Sequence, residues 1–208
     1  MSELTYDVTY QETRNRRTVA FRVILAIPHL VVSTVWGYFA EILAVVQWFI
    51  IVFTGRRNEA IWNLQQAYLA YYGRVMGYIS LLFDEYPAFG TDSGTVPVRS
   101  EISFEESANR LTNGLRFLWI IPAAVISIFV SIAAVVVLIL SWFAILVTGT
   151  HPRGMWDFLL KALRFSLQLQ AYSLLMTDTY PKYGEGAVSA YPVSAPTPTS
   201  FVPPPAPS

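Results

Sequence analysis

Two long apolar blocks dominate the pattern of hydrophobic and polar positions along the chain. The first runs from Val23 to Gly55 with Glu41 as its single charged residue, and the second runs from Phe117 to Thr150 with no charge. About 18 consecutive apolar residues already indicate a membrane span, and the elements of a soluble core are shorter than these blocks. The pattern therefore predicts an all-α integral membrane protein.

The length of each block predicts a transmembrane helical hairpin. One helix over the 34 residues of the second block would reach about 51 Å, whereas the hydrocarbon core of a bilayer is about 30 Å thick. Two spans joined by a tight turn fit this thickness, with Gly37 as a turn residue in the first block. The expected spans are 19–37 with 39–55, and 112–131 with 133–149. A single helix kinked at Pro28 or Pro122 is the alternative, because proline disrupts helical hydrogen bonding.

A segment with a polar stripe at helical spacing follows each block. In the second segment the stripe consists of Asp157, Lys161, Arg164 and Gln168, and a weaker one runs from Glu59 to Arg74. A charged stripe is costly at the bilayer centre but is tolerated at the interface. The pattern predicts amphipathic helices on the cytoplasmic face at 58–83 and 152–177, and tilted spans are the alternative.

Short stretches of alternating polarity precede both blocks. A period of two residues predicts strands, and the two stretches are able to pair with each other. The alternating residues are Leu4, Tyr6, Val8 and Tyr10 in one stretch and Val96, Val98, Ile102 and Phe104 in the other.

The chain contains one unit twice, at a constant offset of 94 residues. Chance apolar similarity does not align arginine, proline, tryptophan and aspartate in a single register. The repeat predicts two domains, at 1–94 and 95–186, before a tail at 187–208 that holds seven of the thirteen prolines and is expected to be disordered. The matched residues are Arg22 and Arg116, Pro28 and Pro122, Trp48 and Trp142, Thr54 and Thr148, Gly55 and Gly149, Trp62 and Trp156, Tyr78 and Tyr172, Asp84 and Asp178, Tyr86 and Tyr180, and Pro87 and Pro181.

The matched residues also carry a family resemblance. Both repeats contain R-x5-P, then W-F-x4-T-G, then a segment ending in D-x-Y-P-x-[FY]-G. This pattern resembles domain-of-unknown-function family 4389, a bacterial membrane domain, over about residues 5–90 and 99–184. The resemblance implies a membrane location and brings no established activity with it.

The charges predict the orientation of the chain. All fourteen basic residues lie in or beyond the segments that flank the blocks, away from the expected hairpin tips. By the positive-inside rule, we expect a multi-pass protein of the cell membrane with both termini cytoplasmic, and parallel repeats related by an axis along the membrane normal. Fourteen acidic residues balance the basic ones, so the net charge does not favour nucleic acid as a partner.

Four matched charged residues are the main candidates for an interaction site. Arg22 and Arg116 lie where the blocks begin, and Asp84 and Asp178 end the amphipathic segments. We expect Arg22 to contact Asp84 and Arg116 to contact Asp178, docking each amphipathic helix on its repeat. In the alternative, the arginines extend to lipid phosphates.

The other matched residues have structural interpretations. Gly55 and Gly149, each after a threonine (Thr54 and Thr148), are expected to end a helix in the left-handed conformation. The Tyr-Pro pairs, Tyr86-Pro87 and Tyr180-Pro181, predict rigid chain exits at headgroup level. Trp48 and Trp142 are expected to be bilayer anchors or partner contacts.

The sequence predicts no catalytic, cofactor or metal site. Cysteine is absent, and His29 and His151 have no histidine counterpart in the other repeat. We therefore expect a non-enzymatic accessory or scaffold subunit of a membrane complex. Its expected partners are a protein within the membrane and anionic lipid headgroups at the cytoplasmic face. A small transporter or channel built from parallel repeats is the alternative, and a lipid-active enzyme using the arginine and aspartate residues is a third hypothesis.

Overall fold

The computed structural model describes residues 4–91 and 96–184, and the proline-rich tail lies outside them. Each repeat supplies one strand, one long apolar helix and one shorter amphipathic helix, and the second repeat adds a short helix. The elements in chain order are β1 (Thr5–Val8), α1 (Arg16–Thr54), α2 (Glu59–Ile79), β2 (Val98–Glu101), α3 (Arg110–Gly114), α4 (Arg116–Thr148) and α5 (Arg153–Ser173).

Each apolar block forms one continuous helix, so the predicted hairpins are wrong and the single-helix alternative is correct. Helix α1 has 39 residues and continues through Pro28, and α4 has 33 residues and continues through Pro122. Gly37 lies within the helix and makes no turn. Because glycine has no side chain, Tyr68 of α2 packs closely against this position. A Cβ atom at Gly37 would lie 3.0 Å from the Tyr68 hydroxyl oxygen. By length and composition, α1 and α4 are both able to cross a membrane.

The ends of the long helices are set by local capping. Asn15 caps the start of α1 through its side-chain oxygen, which accepts a hydrogen bond from the Arg17 backbone N–H. Gly55 follows the last residue of α1 with φ = 74°, and its N–H donates to the carbonyl of Ile51. Gly149 ends α4 in the same way, with φ = 78°. The predicted left-handed glycine caps are therefore confirmed, although each ends a single long helix.

Helix α1 buries its small and polar residues and exposes its large apolar ones. Helix α2 runs back along α1 and covers a stripe spaced by three and four residues, the spacing of one helical face. The outward face carries Phe, Val, Ile and Leu. The buried stripe is Val19, Arg22, Ala26, His29, Ser33, Gly37, Ala40, Ala44, Gln47 and Ile51. In α4, the buried residues are Arg116, Ala123, Ser141 and Ile145.

The predicted amphipathic helices are present as α2 and α5, which end at Ile79 and Ser173. Both are four residues shorter at this end than expected, because the chain turns immediately afterwards. Leu81 and Leu175, at matched positions, have φ values of 60° and 63°. The two helices contact each other at the centre of the molecule, with α1 on α2 and α4 on α5.

The predicted strand pairing is confirmed. Strands β1 and β2 form an antiparallel ribbon in which Thr5 lies opposite Glu101 and Val8 lies opposite Val98. The ribbon packs on α2 and α5. Tyr6 donates from its hydroxyl to the Gly73 carbonyl of α2 at 2.9 Å, and Arg164 of the α5 polar stripe donates to the Tyr6 carbonyl at 2.7 Å.

The two repeats are related by a pseudo-two-fold axis that lies perpendicular to the long helices. The N–H of Arg14, before α1, donates to the carbonyl of Gly149, after α4, at 2.9 Å. The matched bond runs from the N–H of Ala108 to the carbonyl of Gly55 at 3.0 Å. Each long helix therefore begins where the other ends, so α1 and α4 are antiparallel. Two single antiparallel helices stand in place of the expected hairpins, and the orientation of the axis relative to a membrane stays a prediction.

Candidate functional site

Two symmetry-related clusters of arginine and aspartate lie at opposite ends of the helical layers. In the first, Asp84 follows the left-handed turn after α2, which directs its carboxylate towards the start of α1. Arg22 places its Nη2 atom 2.7 Å from Oδ1 of Asp84. The Asn15 N–H donates to the other carboxylate oxygen at 2.9 Å. Asp84 therefore ties the end of α2 to the N-terminal cap of α1.

Arg22 also holds the end of α2 through backbone carbonyls. Its Nη1 atom donates to the carbonyls of Tyr78 and Phe83, both at 2.8 Å. The guanidinium lies 4.4 Å from the centre of the Tyr78 ring. A buried cation at a helix C-terminus is favoured by the helix dipole, and hydrogen bonds to a charged donor are stronger than neutral ones.

The second cluster repeats this arrangement. Arg116 Nη2 lies 2.8 Å from Asp178 Oδ1, and its Nη1 donates to the carbonyls of Tyr172 and Thr177. The Asn109 N–H donates to the other Asp178 oxygen at 3.1 Å. Both predicted arginine–aspartate contacts are therefore present, and the alternative of arginines extending to lipid does not apply to these buried side chains.

A second arginine, which the repeat pattern does not predict, lies in each cluster. Arg14, from the same repeat, lies 3.8 Å from Asp84. At Asp178 the second arginine is Arg57, which comes from the opposite repeat and donates directly to the carboxylate. The residues matched to Arg14 and Arg57 are Ala108 and His151. Comparison of the repeats at this offset therefore overlooks both arginines, and no pattern in the sequence marks them as buried.

Burial shifts the pKa values of arginine and histidine side chains that lie outside the helices. Burial lowers the pKa of the Arg14 and Arg57 guanidinium groups, and the neighbouring Asp84 and Asp178 carboxylates oppose this effect. Burial also lowers the pKa of His151 to about 4, and the nearby Arg14 adds to the shift. His151 is therefore neutral at pH 7, so the first cluster does not gain a third positive charge.

Tryptophans from each repeat bind the backbone of the other. Trp62 Nε1 donates to the Met176 carbonyl at 3.2 Å, and Trp156 Nε1 donates to the Leu82 carbonyl at 3.1 Å. Trp48 and Trp142, expected to be bilayer anchors or partner contacts, also donate across the repeat boundary. Their acceptors are the carbonyls of Asn113 and Val19, each at 3.1 Å. These bonds join the repeats at both ends of the molecule.

The remaining matched residues lie around the clusters or on the outer surface. Pro28 and Pro122 are exposed, whereas Pro87 and Pro181 are buried. The Tyr86 hydroxyl donates to the Leu25 carbonyl at 3.3 Å, and the Tyr180 ring packs edge-on against Tyr172. The Thr54 and Thr148 hydroxyls each bond a carbonyl one helical turn earlier.

The two histidines do not form a common site. His29 is buried in α1, where its Nδ1 atom lies 2.7 Å from the Tyr71 hydroxyl and its ring stacks on Phe89. Within residues 4–91 and 96–184, no group of three or more His, Cys, Asp or Glu side chains converges to hold a metal ion.

Together, the fold and the clusters define a duplicated helical protein with two helices that are able to span a membrane. Its repeats are bound to each other through arginines and tryptophans. The chain belongs to the family of the domain of unknown function DUF4389, whose model matches residues 16–90 and 110–183. The two matched segments agree with two tandem copies, which confirms the resemblance found in the sequence. No curated protein and no solved structure matches the chain.

Proposed function

We propose that the chain is an integral membrane protein that acts as a non-enzymatic accessory or scaffold subunit at the cell membrane. The observation that carries this proposal is the inverted polarity of α1. The helix buries Arg22, His29 and Gln47 to an exposure of 2% or less, while Phe21, Val35 and Phe53 on its outer face are more than 60% exposed. Exposure of such an apolar surface to water is energetically unfavourable, whereas its exposure to the hydrocarbon of a bilayer is not.

The outer face of α4 supports the same environment. Phe117, Phe129 and Val147 are each exposed by more than 60%, and no charged residue lies between Phe117 and Thr148. Apolar surface of this extent on two adjacent helices exceeds what monomeric soluble proteins expose.

The arginine–aspartate clusters support a structural role. Both Asp84 oxygens accept hydrogen bonds from Arg22 and Asn15, and both Asp178 oxygens accept them from arginine and Asn109. A carboxylate engaged in this way is a poor general base, because its lone pairs already stabilise the fold. The clusters therefore favour a scaffold over a lipid-active enzyme.

The expected partners follow from the surface. Arg16, Arg17, Arg56 and Arg110 are exposed at the ends of the apolar helices, where they are placed to meet anionic lipid headgroups. The apolar flanks of α1 and α4 are suited to a protein partner within the membrane. Nucleic acid is not an expected partner.

Membrane residence and scaffold function need separate experiments. Carbonate extraction of membranes should leave the chain in the pellet, and release into the soluble fraction would contradict membrane insertion. Mild detergent extraction followed by mass spectrometry should recover a protein partner in stoichiometric amount. Purified chain in liposomes should conduct neither ions nor small solutes, and transport by the chain alone would instead favour the transporter alternative.

A further inference from the structure

The fold is arranged in three layers along its pseudo-two-fold axis. The antiparallel helices α1 and α4 form the first layer, α2 and α5 form the second, and the β1–β2 ribbon forms the third. The large apolar surface belongs to the first layer. The other two layers carry charged residues, among them Asp7, Glu59 and Lys161. The molecule therefore has one apolar side and one polar side.

The ribbon lies on the pseudo-two-fold axis, midway between the two ends of the antiparallel helices α1 and α4, because Tyr6 pairs with Ser100, its match at the repeat offset. Its central residue Tyr6 contacts Gly73 and Gly77 of α2 and the side chain of Arg164 of α5. Arg164 lies near the midpoint of α5, which runs from Arg153 to Ser173. If α1 and α4 crossed the bilayer, this two-stranded ribbon would lie at the depth of the bilayer centre with its unpaired edges against lipid. Open sheet edges exposed to lipid do not occur in the hydrocarbon region.

The apolar faces of the long helices exceed what a span requires. On α1 the outward face from Phe21 to Phe53, about 48 Å along the helix, is apolar except for Thr34 and Glu41. The hydrocarbon core is only about 30 Å thick. A helix lying in the plane of the membrane has no such limit, because every outward position along it is at one depth.

The exposed arginines fit the same arrangement. Arg16 and Arg17 lie at one end of the first layer, and Arg56 and Arg110 lie at the other. In a spanning orientation these pairs would face opposite sides of the membrane and give no positive-inside bias. In an in-plane orientation all four reach the headgroups of a single leaflet.

We propose that α1 and α4 lie parallel to the membrane plane within one leaflet, with α2, α5 and the ribbon on the cytoplasmic side and the pseudo-two-fold axis along the membrane normal. This proposal rests on the proposed membrane residence and specifies its geometry. The chain enters the membrane from one side and does not cross it. Both ends of the described chain then lie on the same side as the ribbon.

Depth measurements with single-cysteine variants test this geometry, because the natural chain contains no cysteine. Ile24, Val35 and Val46 share the outward face of α1 and are about 16 Å apart along it. Each is replaced by cysteine, labelled with an environment-sensitive fluorophore and reconstituted in vesicles of phosphatidylcholine and phosphatidylglycerol. Lipids with nitroxide quenchers at defined acyl positions then report the depth of each label. Leu118, Phe129 and Leu140 are the matched positions on α4.

The in-plane geometry predicts equal depth at all three positions of each helix. Lys161→Cys, on the exposed surface of α5, is the aqueous control and should escape quenching by acyl-chain nitroxides. A profile in which Val35 is deepest and Ile24 and Val46 are shallow would overturn the in-plane geometry and leave membrane residence intact. Absence of acyl-chain quenching at every position, with the chain free of the vesicles, would overturn membrane residence itself.

Discussion

Arg22 and Asp84, which are 62 residues apart in the sequence, meet at 2.7 Å between Nη2 and Oδ1. The same guanidinium donates to two backbone carbonyls at the end of α2, so a single side chain closes the turn between α2 and Asp84. Arg116 and Asp178 form the same contact in the second repeat. The pair therefore fixes how each amphipathic helix meets its long helix.

Replacement of Arg22 by lysine should destabilise the protein although the charge is kept. A single ammonium group cannot serve two carbonyls and a carboxylate in the planar geometry of a guanidinium. The expected loss is about 2–4 kcal/mol in the free energy of unfolding, from one to two unsatisfied buried acceptors. Unfolding in detergent micelles measures this loss. Arg116→Lys should cost a similar amount, and Arg17→Lys, at an exposed position, is the control. An Arg22→Lys variant as stable as the unchanged protein would show that the positive charge alone is sufficient.

Replacement of Trp62 by phenylalanine should cost more stability than the same change at Trp156. The Leu82 carbonyl that accepts from Trp156 also accepts from Arg14 Nη2 at 2.6 Å. Within the described residues, the Met176 carbonyl accepts a hydrogen bond from Trp62 alone. Trp62→Phe therefore leaves a buried acceptor unsatisfied and should cost about 1–3 kcal/mol, whereas Trp156→Phe should cost about 1 kcal/mol. Equal costs in thermal or denaturant unfolding would contradict this difference.

Replacement of Gly77 by alanine should separate the ribbon from α2. A Cβ atom at this position would lie 2.4 Å from the Tyr6 hydroxyl oxygen and 2.7 Å from the Phe83 ring. Such overpacking is expected to cost about 1–3 kcal/mol, and hydrogen exchange should show faster opening of β1. Gly154→Ala in α5, where a Cβ atom meets no other atom within 4 Å, is the control. It should be neutral or stabilising by up to about 1 kcal/mol, since alanine is the better helix former.

Acidification should destabilise the fold through His151. Burial lowers its pKa in the folded state to about 4, below the 6.5 of an unfolded histidine. The unfolded chain therefore binds the proton more readily. Stability is fully present above pH 6.5 and is lost as the pH falls towards 4. The contribution of His151 is at most about 3 kcal/mol.

His151→Phe should weaken the pH dependence of stability. The variant removes the proton-binding ring, so its loss of unfolding free energy between pH 7.5 and pH 4.5 should be smaller than that of the unchanged chain. An identical loss in both proteins would assign the acid sensitivity to other groups.

Local pattern and repetition were sufficient to predict much of the fold. The alternation around Tyr6 and Val98 predicted paired strands, and the glycines at 55 and 149 predicted helix ends, because both signals depend on neighbouring residues only. The contact between Arg22 and Asp84 was predicted because the repeat marks both residues twice. Arg14 and Arg57 were missed because both come from the first repeat but join different clusters, Arg14 that of its own repeat and Arg57 that of the second, and no local pattern describes this.

The sequence by itself determined the apolar blocks, the duplication and which arginines and aspartates are matched, because periodicity and repeat register are properties of the chain alone. Only the tertiary structure decided that Gly37 packs against Tyr68 and makes no turn, and that α1 and α4 run antiparallel. These outcomes depend on which surface covers the buried stripe of α1. That surface is α2, whose placement is fixed by contacts between residues far apart in the sequence.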